Sequence, residues 1–595
     1  MTDSYEFAKS VAPQSISLET PYESKQWQSV NDINSGIYSS NGTTLVQFDL
    51  ASIYNSSSMI DMATAFIAIP ITYVAAYASS ATTGALVPPV VGDWARVGLK
   101  NGYFQLVHQV DLQVNGKTIE QLQPFTNSYV SFKLQSQMSA DDLASYGQSM
   151  GMGKIVDNYE STKYNNAGSA VTAGAFPAGA GPLGGNGLIN NAPFSAASNF
   201  GDQSAWGAQF GTAYNNGLYS RLNKMVDTTS LSSNNLFGTS TNAGPVILSA
   251  TNLAQEFKST YQVLNTNYMT WYDVAIVRLC DICDSMKHMP LTKRFDGQIR
   301  LYLNSGVAGV AMTAASSSMV FSQSSTSFTN TCPLMISSNA APATVTCMAA
   351  GLFIGKATTT SQFGINLASS GASNPLTSCR FYYAQVKLKP EIMSRYITEN
   401  RHKKVVFTAM LFNQAQSITS GSAFSQLVQS GVKNVRGVLT IPFISSTVNG
   451  LLTTGGTQIS GISPFSQLLS PFDTAPWTTS PCSIINYQVA IGGINQKQNS
   501  MYMTYENWLE EVSLYEKLGA SDIGLSCGLL GATQWEMASR QYYIDCTRGT
   551  NADQITPRAV NVSFINNSQV TIDVFTIVEY FDDFVIDVET GIITK

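Results

Sequence analysis

The sequence predicts an all-β chain built from two related antiparallel β-sandwiches, with short accessory helices and long loop insertions. Three observations carry this. Apolar and polar residues alternate with period two in short runs through both halves, the signature of strands buried on one face. A strand–turn–helix module near residue 110 is repeated 379 residues later. The chain has 595 residues, 44% of them hydrophobic and only 12% charged, which is enough core material for about three to five ordinary domains or two large all-β ones and too apolar for chain-wide disorder.

The amino-terminal stretch MTDSYEFAKSVAPQ has no basic region followed by an apolar run, so no secretory signal is predicted and a cytosolic product is expected. Residues 1–40 read as an arm kept extended by Pro13 and Pro21. The arm carries Lys9 and Lys25 against Asp3, Glu6, Glu19, Glu23 and Asp32, a balance of 2 − 5 = −3. DNA would repel it. The whole chain, with 32 Lys+Arg against 38 Asp+Glu, likewise has no phosphate-neutralising surplus. Eight dispersed cysteines read as reduced thiols.

Met62–Ala78 is the most membrane-like stretch, but Pro70 and its β-branched residues favour one or two buried strands with a break near the proline. From Phe104 through Leu106, Val110, Leu112 and Val114 every even position except His108 is apolar, which predicts a half-buried strand. Asn115-Gly116 then predicts a tight hairpin, because both residues accept positive φ, and sets Leu112 opposite Ile119. Similar alternation occurs at Ile299, Leu301, Leu303; at Ile485, Tyr487, Val489, Ile491; at Val560, Val562, Phe564; and at Val570, Ile572, Val574.

A helix is predicted from Pro124, with Val130, Leu134 and Met138 on one stripe. A better-marked one carries Tyr505, Trp508, Leu509, Val512 and Tyr515 on one face, with Thr504 as N-cap, Lys517 in the last turn and Gly519 beyond it. Each follows a hairpin. QVDLQVNG before the first and QVAIGG before the second are the two copies of the module, which implies two copies of one β-sandwich.

Residues 164–201, 301–355 and 437–472 contain no Asp, Glu, Lys or Arg, yet are rich in Gly, Ala, Ser, Thr and Asn. Loops this long usually have a role, and neutral polar surface suits contact with identical neighbours because no charge need be desolvated. The 301–355 tract is therefore expected to interlock with other copies.

The segments VRLCDICDSMKHMPLTKRFDGQIRLYLNSG, SPFDTAPWTTSPCSIINYQVAIGGINQ with YENWLEEV, YYIDCTRGTNADQITPRAVNVSFINNS and VIDVETGIITK resemble the major capsid proteins of virophages. The resemblance implies a double jelly roll, two eight-stranded antiparallel β-sandwiches, of the lineage shared with adenovirus and other tailless double-stranded DNA viruses. It implies homotrimeric capsomers in an icosahedral shell, with neighbouring capsomers, penton and minor capsid proteins as partners and a double-stranded DNA genome inside. The place it implies is the virion, assembled in the host cytoplasm at a giant-virus factory. The chain then divides into the arm at 1–40, a first jelly roll at 41–305 with a Gly/Ala/Asn-rich insertion near 164–217, and a second at 306–595 with a Ser/Thr-rich insertion near 306–378.

Catalytic signatures do not emerge. Gly116-Lys117-Thr118 imitates the end of a phosphate loop, but Asp111 stands where the first glycine is needed and the tripeptide turns a hairpin. His108, His288 and His402 are the three histidines, and neither H-E-x-x-H nor G-x-S-x-G occurs. His108 reads as a hydrogen-bonded core residue. Cys280, Cys283 and His288 supply three metal ligands where a structural zinc needs four, so packed thiols are favoured. Arg401-His402-Lys403-Lys404 is a compact basic patch, read as a solvated strand approach ahead of a DNA contact. Glu579, Asp582, Asp583 and Asp587 lack EF-hand spacing, though a calcium site at a subunit contact is an alternative. No residue is assigned a catalytic, cofactor-binding or metal role. The rival classes are a β-rich surface or carbohydrate-binding protein, argued by Ser/Thr/Asn-rich loops and against by the missing export signal, and a jelly-roll glycosidase with paired carboxylates.

Overall fold

In the computed structural model the strands form four principal antiparallel sheets. The structure describes residues 21–34, 36, 38, 44–54, 58–78, 86–87, 95–99, 102–122, 124–147, 149–152, 262–265, 268–303, 307–314, 319–324, 334–338, 347–354, 361–362, 365–366, 378–444, 480, 482–497, 502–513, 528–537, 539–547, 556–568 and 571–595.

The first part of the chain supplies β1 (Tyr22–Asn31), β2 (Thr44–Asp49), β3 (Met59–Ala78), β4 (Val107–Val114), β5 (Lys117–Gln121), β6 (Tyr268–Arg278) and β7 (Gly297–Leu303). Then come β8 (Val307–Ala314), β9 (Met319–Ser324), β10 (Cys347–Ile354) and β11 (Arg380–Leu388). One sheet runs β1-β11-β3-β6 and the facing one β2-β7-β4-β5. The second part supplies β12 (His402–Ile418), β13 (Ala423–Val432), β14 (Val435–Ile444), β15 (Ile484–Ile491), β16 (Ile494–Asn495), β17 (Tyr542–Asp545), β18 (Arg558–Asn566) and β19 (Ile572–Asp587). Its sheets run β12-β19-β14-β17 and β13-β18-β15-β16. With β8–β10 set aside, both sandwiches have the same order in chain sequence: first-eighth-third-sixth facing second-seventh-fourth-fifth. That is the jelly roll, made twice.

The strand pairing corrects the expected division of the chain. β1 lies inside the expected arm, and β11 lies beyond 306, yet they pair with each other and β11 pairs with β3. The first sandwich is closed by residues 380–388, so its sheets end after Leu388 and not at 305. The 301–355 tract is also not simply loop. Leu301–Leu303 ends β7, and β8, β9 and β10 add to the far half of β3 through Ile71–Ala78. The 164–217 insertion, the 445–472 part of the third tract and Val570 lie outside the described residues.

Met59–Ala78 is one continuous strand, without the break expected at Pro70. β11 ends its pairing at Ala68 and β10 begins at Ile71, so the proline falls where the strand changes neighbours. Among the described residues no helix is long and apolar enough to cross a membrane. Tyr103–Leu106 is a 3-10 turn, so the strand predicted from Phe104 begins only at Val107. Gly102 (φ 91°) starts this turn, and the Phe104 ring occupies the space where a Cβ would sit, 1.9 Å from its nearest atom.

Both hairpins form, with positive φ at both turn residues: Asn115 50° and Gly116 73°, Gly492 58° and Gly493 82°. They join the fourth and fifth strands of their sandwiches, as the duplication requires. Measured from the turns the repeat is 377 residues, so Leu112 and not Val110 corresponds to Val489. A bulge at Ile119 makes Glu120 the partner of Leu112 and buries both Ile119 and Glu120. In β15 a second irregularity at Asn486 (φ 52°) buries Ile484 in place of Ile485. Ile299, Leu301, Leu303, Val560, Val562 and Phe564 are buried as expected.

The helices that matter for the site are α1 (Thr126–Gln137), α2 (Ala140–Tyr146), α3 (Asp284–Lys287), α4 (Pro390–Asn400) and α5 (Tyr505–Ser513). α1 starts two residues after Pro124 and buries Val130 and Leu134, with Met138 buried just beyond it. α5 buries Trp508 and Val512, while Tyr515, Lys517 and Gly519 lie outside the described residues.

Candidate assembly interfaces

Helix α1 joins the two sandwiches. It is entered through Phe125, whose left-handed backbone (φ 66°) costs a bulky residue about 1–2 kcal/mol. That geometry carries the ring to 5.2 Å from Phe412 of β12 and 5.5 Å from Phe575 of β19, between centroids. Two turns on, Phe132 lies 6.3 Å from Phe443 of β14. Phe412 and Phe443 are 4.9 Å and 5.0 Å from Phe575. The outer face of the second sandwich thus holds an aromatic trio, one ring per strand, covered by the first sandwich. Covering explains why Ile572 to Glu579 are all buried although the sequence alternates: the inner face packs on the facing sheet and the outer face on α1.

A polar chain crosses the same contact. Tyr129 of α1 donates to Glu579 Oε1, and Tyr543 of β17 donates to Oε2 at 3.3 Å. The Arg436 guanidinium lies over the Phe581 ring, 5.6 Å from its centroid, and donates to Thr408 Oγ1 at 2.6 Å. The Thr408 N–H donates to Asp284 Oδ2 at 2.8 Å, and Lys133 of α1 is 3.9 Å from Oδ1. Glu120 accepts the N–H groups of Asp284 and Ser285 at 3.2 Å and 3.0 Å.

The electrostatics follow from burial. Desolvation, helped by Glu579, pushes the Tyr129 hydroxyl well above its ordinary range, so it remains a donor. Burial is the largest single influence and opposes the charge on Arg436, but Glu579, Tyr543, Tyr129 and Asp284 together outweigh it and the guanidinium is held protonated more firmly than usual. Burial, with Asp284 adding to it, raises Glu120 to about 7 despite the Ser285 hydrogen bond. Burial opposes ionisation of Asp284 too, yet Lys133 and the Thr408 N–H outweigh it and lower its pKa.

The carboxyl-terminal tail makes a second bolt. β20 (Ile593–Thr594) pairs with Val585 and Ile586. Just before it, the Gly591 carbonyl accepts from Asn115 Nδ2 at 2.9 Å, at the first hairpin turn. Lys595 Nζ donates to the Ile119 carbonyl at 2.9 Å and pairs with Asp582 at 2.5 Å.

The two charge clusters of the sequence meet each other. β12 and β19 run antiparallel with His402 opposite Asp587. Arg401 lies 3.8 Å from Asp587 and Lys404 3.1 Å from Asp583. Glu579, by contrast, belongs to the buried chain. Cys280 is half-buried and Cys283 buried, and burial raises the Cys280 thiol to about 11. Among the described residues no three His, Cys, Asp or Glu side chains gather as a metal site. His108 is buried edge-on against Phe125, 4.9 Å between centroids. Gly116-Lys117-Thr118 turns the hairpin, and His288 caps the end of α3.

The first sandwich carries a matching but open outer face. Trp27 (β1) lies 5.4 Å from Phe66 (β3), which stacks at 4.9 Å on Tyr382 (β11). Trp27 is 52% exposed. Arg380 lies over the Tyr382 ring at 5.6 Å. Sequence reading singled out none of Trp27, Tyr129, Thr408 or Arg436, because their roles arise from pairings between distant strands. The one available signal was the adjacent apolar pairs Val574-Phe575 and Ile577-Val578, which break the alternation of a one-face strand.

No family model matches the chain, and no curated protein matches it. Its arrangement is similar to solved viral structures. One is the Sputnik virophage (10% identity over 98% of this chain and 90% of that chain, TM-score 0.42). Another is the Faustovirus major capsid protein (9%, 97% and 93%, TM-score 0.42). A third is the mavirus major capsid protein (10%, 100% and 94%, TM-score 0.38). These proteins are structural neighbours of the chain at low identity.

Proposed function

We propose that the chain is a major capsid protein, a structural subunit with no catalytic task. In this reading three copies form a pseudo-hexagonal capsomer, and capsomers tile an icosahedral shell around double-stranded DNA, with penton and minor capsid proteins as partners. The doubled jelly-roll order within one chain is the observation that carries it. Two like sandwiches locked side by side give three copies six near-equivalent lobes, and a closed ring leaves the outer edges for lattice contacts. A virophage particle and assembly in a giant-virus factory belong to the same proposal, supported by the sequence resemblance. The uncharged strands β8 to β10 are the part we assign to contacts near the threefold axis. The domain division we propose is a first jelly roll through Leu388 and a second from His402.

The test is the mass of the native assembly in solution. Three times the 64.0 kDa chain supports the reading, whereas a monomer that binds glycans on an array favours the carbohydrate-binding alternative.

A further inference from the structure

We propose that Asn115, at the first hairpin turn, is a site of spontaneous deamidation that the carboxyl-terminal tail guards, and that its conversion locks the tail out. The inference goes beyond the capsid reading and does not depend on it.

In an Asn-Gly pair the side-chain amide is open to attack by the following backbone nitrogen, because glycine has no Cβ to block the approach. The chain has six such pairs, and Asn115-Gly116 is the one with both residues among the described ones. Both are exposed, and nothing lies within 4 Å of where a Gly116 Cβ would sit. In the reaction the Gly116 nitrogen loses its proton and bonds to Asn115 Cγ, the Cγ–Nδ2 bond breaks, and the amide leaves as ammonia. Water then opens the succinimide ring at either carbonyl, giving aspartate or isoaspartate. One water enters and one ammonia leaves.

The tail holds the group that must depart. Asn115 Nδ2 donates to the Gly591 carbonyl at 2.9 Å, which fixes the carboxamide and opposes its swing onto the Gly116 nitrogen. The Asn115 N–H donates to the Asp296 carbonyl at 2.9 Å, so the turn is braced on its other side as well. Four residues on, the Ile119 carbonyl accepts from Lys595 Nζ, and the tail therefore grips the hairpin at two points. Attack waits for a local opening in which the tail lifts.

The product cannot take the tail back. A carboxylate at position 115 has no N–H to offer, so it would face the Gly591 carbonyl acceptor against acceptor. Isoaspartate would add one carbon to the backbone of a turn already set by positive φ at both of its residues. A reversible event, tail lifting, is thereby coupled to irreversible chemistry.

The test uses the full chain. Wild type, Gly591→Ala and Lys595→Ala are incubated in mildly alkaline buffer and followed by peptide mass spectrometry, with the Asn-Gly pairs at 41–42, 186–187, 216–217 and 449–450 as internal references. Both variants should convert Asn115 about fivefold faster than wild type, the weight of one hydrogen bond, while the reference pairs keep their rates. Lys595→Ala strains no backbone and carries the comparison if Gly591→Ala misfolds. Asn115→Asp, the product made directly, should open the chain near residue 591 to protease while the core stays intact. Equal Asn115 rates in wild type and both variants, or no conversion at Asn115 in any of them, would overturn the guarded site. A tail in Asn115→Asp as protease-resistant as that of wild type would overturn the lock.

Discussion

Tyr129, on a helix of the first sandwich, donates a hydrogen bond from its hydroxyl to Glu579, on the last long strand of the second, and both side chains are buried. The Tyr543 hydroxyl and the neighbouring Arg436 complete the carboxylate's surroundings. Tyr129→Phe removes one donor from a buried carboxylate and should cost about 1.5–3 kcal/mol in urea unfolding, because a charged acceptor left short of partners keeps its desolvation penalty. A loss below about 0.5 kcal/mol would show that the contact contributes packing only.

Glu120 predicts a pH dependence. Its folded pKa is raised from 4.5 to about 7, so the folded state holds a proton that the unfolded chain releases above pH 4.5. Stability therefore falls as pH rises between those values, by up to about 3 kcal/mol, and the penalty is fully present above pH 7. Denaturation of wild type and Glu120→Gln at pH 5 and pH 8 should show the variant gaining relative stability at the higher pH. An equal difference at both values refutes this.

Gly591→Ala should release the tail. An added Cβ would lie 1.7 Å from the Arg294 carbonyl oxygen, on a backbone at φ 71°. Backbone against backbone cannot yield as a side chain could, so the strand at Ile593–Thr594 should detach. Limited proteolysis would detect cleavage near residue 591 in the variant and not in wild type, with the core unchanged.

Duplex DNA should bind weakly, since the basic run at 401–404 faces Asp583 and Asp587. Asp583→Asn with Asp587→Asn should raise affinity at 50 mM salt several-fold and steepen the loss of binding toward 200 mM, because more unpaired cations displace phosphate counterions. Tight, salt-resistant binding by wild type, seen in a gel shift, would contradict this.

What the sequence revealed was what neighbouring residues decide. The Asn115-Gly116 and Gly492-Gly493 turns depend on two residues each, and the alternations at Ile299–Leu303 and Val560–Phe564 on a few more. Where an apolar period hides a different backbone, reading fails: Phe104 and Leu106 fit a strand but sit in a 3-10 turn set by Gly102. A bulge such as Ile119 is invisible because it is a property of two strands. The candidate site was least legible of all, since Glu120, Asp284, Thr408, Arg436 and Glu579 become neighbours only when the two sandwiches dock.

The late closure of the first jelly roll by β11 has a consequence for biosynthesis. β1 pairs with a strand about 350 residues downstream, so at roughly 5–20 residues per second a nascent chain exposes that unpaired edge for roughly 20–70 s. Over that interval Trp27 would emerge on a strand with no partner, whereas the first strand of the second jelly roll meets its partner within the stretch from His402 to Asp587. The first lobe to begin translation is thus not free to mature early, and holdase chaperones should engage Tyr22–Asn31 on stalled ribosomes until residue 388 has cleared the exit tunnel.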